Sequence, residues 1–297
     1  MPRKLTFFAV MVCLFFATLC QAGEVVKIGV LAKNGPAKAL KKWAATGEYL
    51  TAKVSGKTFE IVPLDFDRVF PAVASGEVDF FLVNSSMFVT AKVKFGAEPI
   101  LTMINSRQGR ALTSFGGVIF TNAYNDAVNT LGDIKGKKFM AVKKSSFGGW
   151  QMAYKELLDA GIDPLKDFAS VEFGNKHDNV VFAVQNEIVE VGTVRTDTLE
   201  RLAASGAIAM EDFKIIAKKN YPDFPFVCST KLYPEWPLAR TAGTDAALTA
   251  QVVAALKELK PEDKAAKAAK IVGWTDPLDY SGVEELQKVL GVGAYEK

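Results

Sequence analysis

Short apolar strand candidates, each followed by a loop and an amphipathic helix, recur along most of the chain, and this alternation restricts the fold more than any other feature. Val25-Val26-Lys27-Ile28-Gly29-Val30-Leu31 is a β-rich run, and Gly35-Pro36 then punctuates the turn into a helix carrying Leu40, Trp43, Ala44, Leu50 and Val54 on one face. A strand over 58–64, a helix bearing Val69, Phe70 and Val73 that ends near Gly76, and a continuous apolar strand over 78–83 complete a first group. A second group opens after Phe115-Gly116-Gly117-Val118-Ile119-Phe120. It has a strand over 138–142, a helix over 147–160, a strand over 169–173, a helix over 177–186, a strand over 189–194 and a helix over 196–205. Beyond Phe224-Pro225-Phe226-Val227, three helices are expected, over 244–260, over 262–271, and one opened by a capping box at Ser281-x-x-Glu284.

Strands that alternate with helices imply mostly parallel sheets covered on both faces. Two groups of such units, joined by extended segments near 115–121 and 224–230, predict an α/β protein of two lobes linked by two crossovers. The expected division is 23–119 with 228–297 for lobe 1 and 120–227 for lobe 2. Ligands in such sheets sit at the carboxyl ends of strands, so two facing lobes make one cleft that can close on its ligand.

Arg3 and Lys4 precede an apolar run from Leu5 to Leu19, followed by the small residues Ala22 and Gly23, the pattern of a secretory leader over 1–22. The run is about 15 residues, short of the roughly 20 that span a bilayer, so the mature protein is expected in the periplasm. Leu19 stands where a lipid-attachment signal places a small residue, which argues against tethering through Cys20. Removal of the leader takes Cys13 and Cys20 with it and leaves Cys228 alone, so the fold must stand on its core without a disulfide. A hydrophobic content of 49% supplies that core. The net charge of +3 falls to about +1 without Arg3 and Lys4, and the charges are interspersed, which gives no support to a nucleic-acid partner.

Several polar residues fall at strand ends. Lys143-Lys144-Ser145-Ser146-Phe147-Gly148-Gly149 lies between a strand and a helix, where Ser145, Ser146 and the first-turn amides of Phe147 and Gly148 either cap the helix or cradle an oxyanion at its positive end. His177, the only histidine, stands before a helix beside Asp178, so capping competes with donation to an anion. Arg195 ends a buried strand, with Thr193 behind it, and either captures an oxyanion with its guanidinium fork or pairs with Asp197. In lobe 1, Asn84, Ser85 and Ser86 end the third strand, and Lys33 with Asn34 follow the first. Trp150 and Trp236 read as core or hinge packing. One histidine without a cysteine or acidic cluster makes a metal site unexpected, and no nucleophile motif or cofactor fingerprint is present.

The pattern resembles the phosphate/phosphite/phosphonate-binding family of type 2 periplasmic solute-binding proteins, and within it most closely the ligand-binding domains of tetrathionate-type sensor kinases. The resemblance rests on Ile28-Gly29-Val30-Leu31-Ala32-Lys33, Pro63-Leu64-Asp65-Phe66, Val78-Asp79-Phe80-Phe81-Leu82-Val83-Asn84, Phe147-Gly148-Gly149, His177-Asp178-x-Val180, Val191-Gly192-Thr193-Val194-Arg195-Thr196-Asp197 and Leu232-Tyr233-Pro234-Glu235-Trp236-Pro237. It implies a type 2 fold with a two-strand hinge, a hydroxyl-rich loop at Ser145-Ser146 that holds oxyanion oxygens, and His177 reaching the same ligand. It also implies capture of a small oxyanion without catalysis or cofactor, by a monomer that serves a membrane ABC permease or, alternatively, reports to a sensor histidine kinase. Relatives carry a Gly-acidic-small-Asp run where this chain has Asn186-Glu187-Ile188-Val189-Glu190, and phosphonate binders have a Tyr where it has Asn84-Ser85-Ser86. These departures point away from an aminophosphonate. The chain stops at Lys297 without a kinase module and so resembles the sensing domain alone.

Overall fold

The computed structural model describes residues 23–296; the expected leader, with Cys13 and Cys20, lies outside them. The chain runs β1 (Glu24–Leu31), α1 (Pro36–Lys53), β2 (Lys57–Leu64), α2 (Val69–Ala74), β3 (Phe80–Leu82), α3 (Ser85–Phe95), β4 (Glu98–Arg107) and β5 (Arg110–Leu112) before the first crossing at β6 (Ser114–Phe115). It continues through β7 (Gly117–Asn122), β8 (Lys138–Ala141), a π-helical turn (Phe147–Gln151) that runs directly into α4 (Met152–Asp159), α5 (Pro164–Asp167), β9 (Ser170–Phe173), α6 (His177–Gln185), β10 (Val191–Arg195), α7 (Thr198–Ala204) and β11 (Phe213–Ile216). The second crossing, β12 (Tyr233–Pro234), leads to β13 (Pro237–Arg240), α8 (Ala246–Lys257), α9 (Lys264–Ala269), β14 (Ile271–Thr275) and α10 (Ser281–Leu290).

Two main sheets result, ordered β14-β4-β13-β3-β1-β2, with β5 on β4, and β11-β7-β10-β8-β9, beside a two-stranded ribbon of β12 with β6. Each contains three parallel strands, β2-β1-β3 in one and β9-β8-β10 in the other. Each adds next to them one antiparallel strand, β13 or β7, which is the first main strand the chain enters after crossing from the other lobe. The two crossings pair with each other, Tyr233 opposite Phe115 and Pro234 opposite Ser114. Gly117 to Ile119 pair with Thr193 to Arg195, and Ser229 donates its N–H to the Gly117 carbonyl, so both stretches belong with the second sheet. The crossings therefore fall at 114–115 and 233–234, a few residues from the expected 119/120 and 227/228.

Period-two alternation distributes the core over both faces of each sheet. Phe80 and Leu82 pack with Trp43 of α1 and with α8, whereas Phe81 between them packs with Phe88 of α3 and with α10. In the second sheet Val118 and Phe120 face α6 and α7, and Ile119 faces Trp150 and Leu157. Among the described residues no helix is long and apolar enough to cross a membrane.

Three expectations are corrected. The stretch over 262–271 holds only the short α9, because Ile271 opens β14 against β4. The capping box at Ser281-x-x-Glu284 does not form: Asp279 accepts from the Ser281 N–H and hydroxyl, and Glu284 pairs with Lys288 and Tyr295. Strands β4, β5, β13 and β14, absent from the sequence reading, supply four of the seven strands of the first sheet. Gly192, in the centre of the second sheet, has no room for a side chain, since a Cβ there would sit 2.8 Å from Val184 and 2.9 Å from Val180. Gly192→Ala is expected to destabilise the protein by about 1–3 kcal/mol through overpacking, read as a lowered urea midpoint with an unchanged slope.

Candidate functional site

The carboxyl ends of all six parallel strands face one another across the crossing strands, and a cavity of about 360 Å³, mouth included, lies between them. Its lining takes Leu31 from the end of β1 and Lys33 from beyond it, Phe66 from beyond β2, Asn84 from beyond β3, Ser146, Phe147 and Gly148 from beyond β8, His177 from beyond β9, and Arg195 from the end of β10. Phe115 and Trp236, at the two crossings, close the back. Seven of the ten residues expected at a site thus meet in one place.

The other three do not line it. The Thr193 hydroxyl donates to the Val118 carbonyl at 3.1 Å, fully buried within the sheet. The Ser85 hydroxyl donates to the Pro234 carbonyl at 2.6 Å and so ties α3 to the second crossing. Ser145 is half-buried outside the lining, on the turn that precedes the helix. Asn84 has two functions, since its Oδ1 caps α3 by accepting from the Met87 N–H at 3.0 Å, which leaves its amide nitrogen to face the cavity.

Backbone donors gather at the helix that starts at Phe147. No upstream carbonyl accepts from its first N–H groups, and the Ser146 hydroxyl makes no cap, so hydroxyl and amides alike are open to a ligand at the positive helix end. Gly148 permits this approach, because a Cβ there would lie 2.9 Å from the Phe115 ring and 3.2 Å from the Arg195 Cβ. His177 accepts the Arg195 backbone N–H on Nδ1 at 3.2 Å, so the proton of its neutral ring sits on Nε2 and makes that atom a donor. Burial, and then the positive charges of Lys33 and Arg195, hold the imidazole neutral by pushing its pKa well below the usual range.

Arg195 organises the charges. Its guanidinium lies 4.2 Å over the Phe115 ring, donates through Nη2 to the fully buried Glu235, and has Nε 3.7 Å from Asp197 with no hydrogen-bond acceptor. Asn105 donates to the same Glu235 oxygen at 2.8 Å, and Trp236 donates its backbone N–H to the other at 3.3 Å. Burial alone would raise the Glu235 pKa, but attraction to Arg195 and Arg107 together with these hydrogen bonds outweighs it and holds the carboxylate below its ordinary range. Arg107 of β4 reaches across to Asp197 at 3.3 Å. Two ion pairs therefore link the lobes, and Lys143 adds a third contact, 4.9 Å over the Phe66 ring.

Two ammonium groups remain. Lys33 lies 5.2 Å over the Trp236 ring, and Lys42 of α1 lies 4.9 Å over Trp43; neither forms an ion pair among the described residues. Both keep solvent contact through the mouth of the cleft while protein crowds them elsewhere. Desolvation, followed by repulsion from Arg107 and their cationic neighbours, lowers Lys33 to about 8 and Lys42 to about 7. Four cationic side chains thus face two carboxylates. Arg107, Lys42, Glu235 and Trp236 were not assigned to the site from sequence. Trp150, by contrast, is buried and stacks on Tyr154 at 4.8 Å, in agreement with its expected packing role. No group of three or more potential metal ligands occurs among the described residues.

Removing one member of a buried ion pair leaves the other charge uncompensated, which costs more than the pair contributed. Glu235→Ala is accordingly expected to lower stability by about 3–5 kcal/mol, measured by urea unfolding of the ligand-free protein. An effect below about 1 kcal/mol would mean that the guanidinium finds water or another partner without loss.

A family model described as "ABC transporter, phosphonate, periplasmic substrate-binding protein" matches residues 28–281. The chain is also similar to the tetrathionate sensor histidine kinase TtrS of Salmonella typhimurium, 30% identical over 259 residues that make up 87% of this chain and 42% of that protein. It thus spans less than half the length of that relative. Among solved structures it is similar in fold to XAC2383 from Xanthomonas citri bound to chloride, with a TM-score of 0.69 and 18% identity, covering 89% of this chain and 99% of that one. It is similar in the same way to PhnD1 from Prochlorococcus marinus in complex with methylphosphonate, with a TM-score of 0.68 and 15% identity, covering 90% and 98%. With two sheets of one shared strand order, two paired crossings and a match over most of its length, the chain has the type 2 periplasmic-binding-protein fold and belongs to the family of phosphonate periplasmic substrate-binding proteins of ABC transporters.

Proposed function

We propose that the protein captures a small oxyanion in the cleft between its lobes, without chemical turnover, and presents the closed form to a membrane ABC importer. The observation that carries this reading is the excess of positive charge in the cleft: among the described residues Lys33 and Lys42 form no ion pair, and the donors that line the cavity with Lys33, the amides at Phe147 and Gly148, the Ser146 hydroxyl and His177 Nε2, have no acceptor. An oxyanion supplies both the charge and the acceptors. Its donors come from both lobes, so it binds the closed arrangement better than an open one and shifts the population toward closure. The paired crossings β6 and β12 are where such a motion would bend. Export directed by residues 1–22, periplasmic residence and action as a monomer belong to the same reading.

A second reading is favoured by the likeness to part of the tetrathionate sensor kinase: the closed form would dock on a membrane histidine kinase and report a sulfur oxyanion. The two share a site and differ in the partner. Loss of uptake of the bound anion on deletion of the protein supports transport; unchanged uptake with loss of a transcriptional response supports sensing.

The ligand class is tested by screening phosphonates, phosphite, phosphate, sulfonates and tetrathionate for a rise in melting temperature of the mature protein, because a ligand at 100 times its Kd stabilises the folded state by about 2.7 kcal/mol. At least one oxyanion is expected to raise it, and His177→Ala with Arg195→Gln to abolish the rise. A neutral solute as the only stabiliser would contradict the reading.

A further inference from the structure

Asp197 stands directly before α7, where a short acidic or amide side chain ordinarily caps a helix, yet it caps nothing. Asn84, Asp163 and Asp245 hold the same position before α3, α5 and α8, and each accepts from a backbone N–H of its own helix. Asn84 and Asp163 have the extended backbone that lets a capping oxygen reach those amides. At Asp197 φ is +73°, in the left-handed region, which a residue other than glycine adopts at a cost and keeps where its surroundings over-determine it. Both the lost cap and the backbone cost point to what the carboxylate reaches instead.

That carboxylate is buried and lies 3.3 Å from Arg107 Nη1 and 3.7 Å from Arg195 Nε. Arg195 belongs to the same lobe; Arg107 belongs to the other. Arg107 ends β4 and pairs with Arg110 of β5 across the turn Gln108-Gly109. Both turn residues have positive φ, as a two-residue hairpin turn matched to strand twist requires, so a tight hairpin presents this guanidinium to the second lobe. Neither Arg107 nor Asp197 lines the oxyanion cavity, so the pair is not a contact to the ligand seated there.

We propose that Asp197 is a positioning residue that, through Arg107, latches the two lobes in the closed arrangement whether or not an anion is bound. A pair whose members belong to different lobes favours only the arrangement that brings them together. An equilibrium shifted in advance toward the binding-competent form raises apparent affinity by the fraction gained. The effect on binding rests on the oxyanion reading; the effect on closure is a property of the protein alone.

Small-angle scattering of the ligand-free mature protein tests the latch without an anion. Asp197→Asn and Arg107→Gln are each expected to raise the radius of gyration above the wild-type value, and the double variant to raise it no further. Asparagine tolerates left-handed backbone, so the first change removes the charge and keeps the chain path. A cooperative urea transition checks that each variant folds. Isothermal titration and stopped-flow tryptophan fluorescence with methylphosphonate and with ethanesulfonate read the effect on binding. Field effects alone have opposite signs, since losing a carboxylate beside the cleft tightens an anion and losing Arg107 weakens it. The latch instead makes both variants weaker, by about tenfold in Kd and chiefly through faster release, with losses that do not add in the double variant. Arg107→Gln leaves the contact of Asp197 with Arg195 in place, so its effect does not come from a misplaced Arg195. An unchanged radius of gyration in both variants, or an Asp197→Asn protein that binds as tightly as wild type or tighter, overturns the latch while the oxyanion reading stands. If neither anion binds, and none stabilises the protein in the melting screen, the oxyanion reading falls and the scattering result alone decides the latch.

Discussion

A guanidinium buried between two lobes must meet negative charge and cannot be left with water alone. Arg195 meets it in Glu235, and much of the site follows from that pair. Glu235 stands directly after the second crossing strand and is held by Asn105 of the first lobe, so the bond from Arg195 ties the end of a second-lobe strand to the first-lobe side of the hinge. The same guanidinium rests on Phe115 of the other crossing strand, while the Arg195 backbone N–H sets the tautomer of His177. Hinge position, histidine orientation and the approach of the helix at Gly148 thus converge on one residue. With Glu235 and Asp197 engaged by the two arginines, Lys33 and Lys42 have no ion-pair partner among the described residues, and the excess positive charge on which the anion proposal rests arises from the way the lobes are joined.

The parts of the site that were legible in the sequence lie just beyond parallel strands. Lys33, Asn84, Ser146 to Gly148, His177 and Arg195 each follow an apolar run, and in a parallel sheet the carboxyl ends all open on one edge. Local order was therefore enough to gather them. It did not distinguish residues at the edge from those one step inside it. Thr193 shares the face of Arg195 by strand alternation but lies deeper, with its hydroxyl turned onto the neighbouring strand, and Ser85 is already inside α3 and faces the hinge.

The residues that were missed depend on pairings distant in sequence. Arg107 reaches the cleft only because β4 lies between β13 and β14, strands contributed by chain that has first passed through the other lobe. Lys42 reads as part of a solvated helix face until Arg107 and Lys33 are placed beside it. Trp236, in a proline-bounded segment, read as packing and Glu235 beside it was given no role; the part of both emerges once the two crossings pair. Likewise β4, β13 and β14, strands of the first sheet that were not foreseen, pair across long stretches of chain, whereas the unforeseen β5 pairs locally with β4.

The central claim is that the cleft holds uncompensated positive charge that a bound anion neutralises, and proton linkage tests it most directly. Crowding by protein on the sides away from the cleft mouth, together with their cationic neighbours, disfavours the charged form and lowers Lys42 to about 7 and Lys33, which keeps more solvent contact, to about 8. An anion that is fully ionised over this range, such as a sulfonate, favours the charged form when seated beside them, so its binding is expected to take up protons and its affinity to fall as pH rises from about 6 to 9. Titration of such a fully ionised anion at pH 7.5 in buffers of different ionisation enthalpy measures the exchange. The account predicts net proton uptake that is reduced in Lys42→Gln; no exchange, or net release, would contradict it.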